Sequence, residues 1–71
     1  MEKKILIKFG NRVREERMKL HLTQEALANK AGLHRTYIGM IERGEKNITL
    51  ENIKKVIDAL EIKLSDFFIG F

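Results

Sequence analysis

Five residues between positions 24 and 41 constrain this chain more than any other feature: Gln24, Ala28, Gly32, Ile38 and Ile41 fall four, four, six and three positions apart. Each suits a place in two short helices joined by a tight turn. Ala28 is small where two helices cross closely, Gly32 supplies a positive φ, and Ile38 and Ile41 anchor the second helix by its inner face. Thr23 is a good N-cap for the first of these helices, predicted over residues 24–30 with Leu27 and Ala28 facing inward. Gly32 ends it. The second begins at Leu33 or His34 and runs to Glu42, where Arg43 and Gly44 close it. Any one of these residues is uninformative; the set is specific.

The rest of the chain keeps the same helical period, and no strand alternation is sustained. Over residues 9–20, Phe9, Val13 and Leu20 form one face and Arg12, Arg14, Glu15, Glu16 and Lys19 the other. Ile5, Leu6 and Ile7 extend this helix toward Lys3 or form a short extended arm, and Gly10 weakens the helix locally. His21 tolerates the left-handed conformation where the helix stops. Thr49 caps a fourth helix whose Leu50, Ile53, Val56, Ile57 and Leu60 follow steps of three and four, and Leu64 and Phe67 continue that core. Ser65 or Asp66 caps a last turn bearing Phe67 and Phe68. The expectation is an all-α fold in one domain over residues 1–71, with the two-helix unit at about 24–43 and no room for a second, ligand-sensing domain.

Charge sharpens this reading. Residues 1–43 hold ten basic and five acidic side chains, whereas residues 44–71 hold four and five, so the chain's net +4 and pI near 9.6 come from its front. A basic half in a domain of high pI is the footprint of a nucleic-acid binder, although small basic domains are also simply soluble. On the second helix of the unit, Arg35, Thr36, Gly39, Met40 and Arg43 make one stripe opposite Ile38 and Ile41.

The stretches FGNRVREERMKLHLTQEALANKAGL (9–33) and HRTYIGMIERGEKNITLENIKKVIDALEIKLSDFF (34–68), above all LTQEALANKAG and YIGMIERG within them, resemble the Cro and phage-repressor class of helix-turn-helix proteins, the XRE family. The RTYI segment and the EKNIT loop look most like the small controller proteins of restriction–modification operons; antitoxins and phage regulators share the framework. The resemblance implies a lambda-repressor-like fold of five helices, a homodimer, and double-stranded DNA as partner through an operator of two half-sites.

It also implies roles for residues. In this class the recognition helix enters the major groove and reads bases from its N-terminal part. Arg35 is the leading base contact, since a guanidinium donates two parallel bonds to guanine; the alternative is a phosphate-binding or solvated arginine. Thr36 contacts a base or is surface, Met40 touches a thymine methyl or fills the core, and Tyr37 packs on the scaffold while its hydroxyl reaches DNA. Gln24, at the start of the first helix, would clamp a phosphate, and Arg43, Lys46 and Asn47 would hold the flanking backbone. Arg17 and Glu42 match a recurrent buried ion pair that registers two helices. Gly39 has no side chain to read with and departs from the polar residue the family often carries there, which leaves the contacts on the distal half of the site open.

Other chemistries fit poorly. His21 and His34 stand thirteen residues apart and there is no cysteine, so no metal site or thiol chemistry is expected, nor any cofactor or small-molecule ligand. There is no phosphate-cradling glycine loop and no nucleophile elbow, so an enzyme is not expected. The first helix only partly fits a membrane-surface helix, and the apolar run after Lys4 is too short for a secretory signal, which points to the cytoplasm. A rival from another class is an antitoxin or phage-type repressor acting partly by protein contact. Ile62, Phe68, Ile69 and Phe71 exceed what the core of a chain this small requires. Within residues 60–71 they either form a dimer interface or fold back beside Ile5 and Leu6.

Overall fold

Helix α1 (Lys3–Lys19) passes through Ile5, Leu6 and Ile7 without a break, so this segment is helix and not an extended arm. The computed structural model describes residues 3–71, and positions 1 and 2 of the expected domain lie outside the described residues. After α1 come α2 (Gln24–Ala31), α3 (Arg35–Glu42), α4 (Leu50–Ala59) and α5 (Leu64–Phe67), with no strand among the described residues. The expected all-α, five-helix class is the observed one.

The boundaries follow local chemistry. Thr23 accepts a hydrogen bond from the backbone N–H of Ala26 at 3.0 Å, and Thr49 one from that of Asn52 at 3.2 Å, each satisfying a donor that a helix start leaves free. His21 (φ 57°) and Gly32 (φ 71°) end α1 and α2 in the left-handed region. Leu33 N–H then returns to the carbonyl of Ala28 at 2.9 Å, which fixes the three-residue turn into α3. The start of α3 falls at Arg35, with His34 at the cap position making no side-chain capping bond.

The core joins all five helices through Phe9, Val13, Leu27, Ile38, Ile41, Val56, Ile57, Leu60 and Phe67. Fully burying side chains of this size stabilises by about 1.5–3 kcal/mol each before entropy is counted. Three apolar residues expected inside are instead exposed. Leu20 lies past the end of α1, in the turn that reverses the chain; Leu50 opens α4 before that helix meets the core; Leu64 opens α5. Because α5 begins at Leu64, its cap position is Lys63, and Ser65 and Asp66 fall inside the helix and do not cap it. Glu16, expected on the solvent face, is buried. Its carboxylate accepts from Arg12 Nε and Lys19 Nζ, both at 3.1 Å.

Gly10 has a role that periodicity does not display. A Cβ there would strike the carbonyl oxygen of Ile41 and stand 2.8 Å from that of Glu42, so its absence lets α1 lie against the end of α3. The four phenylalanines gather where the chain ends: Phe9 and Phe67 have centroids 5.2 Å apart, and Phe68 and Phe71 meet edge to face at 4.9 Å. Lys8 Nζ donates to the carbonyl of Gly70 at 2.6 Å and Arg12 Nη2 to that of Asp66 at 3.2 Å, tying the last residues to α1. Of the four apolar residues expected in surplus, Ile62 and Phe68 are half-buried against the core, Phe71 is 38% exposed, and Ile69 is 70% exposed.

Candidate nucleic-acid interface

Helix α3 turns one face inward and one outward, with Tyr37 and Met40 half-buried at the borders and Gly39 of the expected outward stripe buried. Ile38 and Ile41 are fully buried, while Arg35 and Thr36 one turn earlier are exposed. The outward stripe borders a shallow open concavity lined by Gln24, Arg35, Thr36, Gly39 and Arg43. The structure therefore brings four of the sequence-selected contact residues to one place, with Gln24 arriving from the first turn of α2. Lys46 and Asn47 are exposed in the loop that follows. Met40 is half-buried, on the flank of the stripe.

The two helices are locked by a polar network at their junction. Arg17 Nε donates to Glu42 Oε2 at 2.6 Å and Arg17 Nη2 to Glu42 Oε1 at 3.1 Å, a two-point grip between α1 and α3. Arg17 Nη1 also donates to the carbonyl of Leu22 at 2.8 Å, holding the segment that leads into α2. Gln24 Nε2 donates to Glu42 Oε1 at 3.1 Å. One amide proton of Gln24 is thus engaged inside the protein. Glu42 is the hub that orients α1, α2 and α3 together.

Tyr37 is half-buried against the core, and its hydroxyl accepts a hydrogen bond from Asn52 Nδ2 at 3.0 Å. Lys46 Nζ lies 5.7 Å from its ring centroid. The ring is therefore scaffold, and its hydroxyl is tied to α4. Asn52 was missed by sequence reasoning, since a polar residue in the first turn of a capped helix gives no signal of a partner fifteen positions away.

Electrostatically the stripe is basic at both ends, Arg35 at one and Arg43 at the other. Arg43 Nε pairs with Glu45 Oε2 at 3.1 Å. Among the described residues no cluster of His, Cys, Asp or Glu could hold a metal ion, and no described helix is long and apolar enough to cross a membrane. An exposed stripe, a helix start beside it and a basic loop can together grip a polyanion and present side chains to a groove.

Comparison with known proteins agrees with this geometry. The helix-turn-helix family model matches residues 13–67. Control protein C.BamHI of Bacillus amyloliquefaciens is 45% identical over 67 residues, covering 93% of this chain and 83% of that protein. The crystal structure of the restriction–modification controller protein C.AhdI from Aeromonas hydrophila superposes with a TM-score of 0.88 at 46% identity, covering 92% of this chain and 98% of that one. The restriction–modification controller protein C.Esp1396I, solved as a tetramer in complex with its natural 35 base-pair operator, gives a TM-score of 0.86 at 36% identity over 90% of this chain and 84% of that one. The chain belongs to the helix-turn-helix family of transcriptional regulators, among the control proteins of restriction–modification systems.

Proposed function

We propose that this protein binds a near-palindromic operator in double-stranded DNA as a homodimer and regulates a restriction–modification operon in the cytoplasm, without enzymatic activity, cofactor or small-molecule ligand. The observation that carries this reading is the grouping of Arg35, Thr36, Gln24 and Arg43 around one open concavity on the outer face of α3. Arg35 reads a guanine, Thr36 a neighbouring base, and Met40 offers its apolar end to a thymine methyl. Tyr37 supports the reading helix and borders the groove. Gln24, with the free N–H groups of the first turn of α2, holds a phosphate, and Lys46 and Asn47 hold the flanking strand.

Two copies related by a two-fold axis near Ile62, Phe68, Ile69 and Phe71 would set their recognition helices about 34 Å apart, one turn of B-DNA. The relative solved as a tetramer on a 35 base-pair operator supports more than one such dimer on a regulatory region. The test is a binding titration against DNA upstream of the chain's own reading frame and against single-base variants of the bound site. Arg35→Ala is expected to lose preference at one position per half-site, roughly 1–3 kcal/mol at the right base. Lys46→Ala is expected to weaken all sequences alike and flatten the salt slope by about one. Equal weakening of every sequence by Arg35→Ala would make Arg35 a phosphate contact.

A further inference from the structure

Gly39 leaves a gap in the middle of the reading stripe, and the structure shows what fills it. Helical side chains lean toward the helix start, so Arg43, which closes α3, returns over the preceding turn. Its Nη1 lies 3.1 Å from the point where a Cβ on residue 39 would stand. Glu45 lies on the other side of the same guanidinium as an exposed ion pair, its Oε2 3.1 Å from Nε. Nη1 of Arg43 therefore takes the place of a side chain at position 39, on the concavity that Arg43 shares with Arg35, Thr36 and Gln24.

We propose that Arg43 is a second base-reading residue, directed at a guanine in the major groove, and that Glu45 is its positioning residue. This rests on the DNA-binding reading above and replaces the phosphate contact that sequence reasoning assigned to Arg43. Two physical arguments carry it. With Glu45 lying on the Nε side of the guanidinium, the pair Nη1 and Nη2 is left as a fork, which matches the O6 and N7 acceptors of guanine. A phosphate approaching this guanidinium also approaches the Glu45 carboxylate, which repels it; a base edge carries no net charge and meets no such penalty. Arg43 thus supplies the distal reader that Gly39 cannot, one helical turn, or about 6 Å, along α3 from Arg35.

The experiment is selection from a pool of duplexes randomised across the binding site, with the bound fraction sequenced for wild type, Arg35→Ala, Arg43→Ala, Arg43→Lys and Glu45→Gln. Wild type is expected to enrich two separate guanines in each half-site. Arg43→Ala loses one of them, on the order of a tenfold fall in preference, and Arg35→Ala loses the other. Arg43→Lys keeps the charge, so it retains affinity for the pool while losing the same guanine. Glu45→Gln weakens the preference at that guanine while raising affinity for the pool, a split that a merely structural glutamate would not produce. Enrichment of an unchanged motif by Arg43→Ala, with uniformly lower affinity and a salt slope reduced by about one, overturns the assignment and leaves the DNA-binding reading standing. A wild-type chain that enriches no motif overturns both.

Discussion

Gly10 of α1 faces the carbonyl oxygen of Ile41 at the end of α3, and no atom larger than hydrogen fits between them. The obstacle is backbone on both sides, so a methyl group there cannot be accommodated by a rotamer change. Gly39 is different: the nearest atom to an added Cβ is the tip of the flexible Arg43 side chain at 3.1 Å.

The same substitution at these two helical glycines is therefore expected to act with opposite sign. Both changes to alanine gain up to about 1 kcal/mol in helix propensity. Gly10→Ala then loses more than it gains, because forced overpacking costs about 1–3 kcal/mol or more, and its urea midpoint falls below wild type. Gly39→Ala keeps most of the gain and its midpoint rises. A Gly10→Ala chain as stable as wild type would mean that α1 and α3 do not cross as closely as described.

The Arg17–Glu42 pair gives a second expectation. Their side chains are only 13% and 4% exposed, and removing one partner of a buried pair leaves an uncompensated charge, at a cost of about 3–5 kcal/mol. Glu42→Ala also strips Gln24 of its acceptor and should be the more damaging of the two single changes. Replacing both, as Arg17→Met with Glu42→Leu, is expected to cost less than Glu42→Ala alone. Single variants that unfold in urea as wild type does would contradict the buried pair.

What was legible in the sequence was what local chemistry dictates. Thr23, Gly32 and Thr49 mark helix ends through groups within three residues of themselves, and Ile38 and Ile41 declare a buried face by spacing alone. What was not legible depends on contacts distant in sequence. Gly10 reads as a weak point in a helix until α3 is laid across it, and Glu16 reads as surface until Arg12 and Lys19 close over it. Leu50 and Leu64 fit the apolar period but sit at helix starts, where the period continues and the core does not. For the binding stripe, spacing placed Arg35 and Thr36 outward, whereas the fate of Arg43 depended on the empty space at Gly39.

Glu16 makes stability depend on pH in the acid range. Burial raises its pKa, but hydrogen bonds from Lys19 and Arg12, with their charges, outweigh that effect and hold it below the ordinary glutamate value. A carboxylate with a depressed folded pKa contributes stability that is present above its unfolded pKa and lost as pH falls through the folded one. Glu61, bonded to Lys30 at 2.7 Å, is shifted in the same direction but is exposed. Urea midpoints measured from neutral pH downward should begin to fall in wild type as the pH drops below the ordinary glutamate pKa, and should fall more gently in Glu16→Gln. Parallel curves for the two chains would remove Glu16 from the account.

The proposed homodimer supplies the last prediction, and the fold decides which residues can test it. Phe67 is fully buried and Phe68 packs on Phe9 at 5.9 Å, so cutting the chain after Asp66 would empty the core as well as the surface. Within residues 60–71, the large apolar side chains left outside for a second copy are Ile69 at 70% exposure, Leu64 at 43% and Phe71 at 38%. Burying such a group on association contributes about 25 cal/mol per Å² removed from water, and a lysine in its place opposes association while leaving the monomer's core untouched. A chain carrying Ile69→Lys and Leu64→Lys is expected to keep its helical circular dichroism and its urea midpoint at low concentration. It should sediment as a monomer at micromolar concentration where wild type sediments as a dimer. Because each half-site would then be bound without its partner, affinity for a palindromic operator should fall far more than affinity for an isolated half-site. A doubly substituted chain that is folded and still dimeric would place the two-fold axis elsewhere on the molecule.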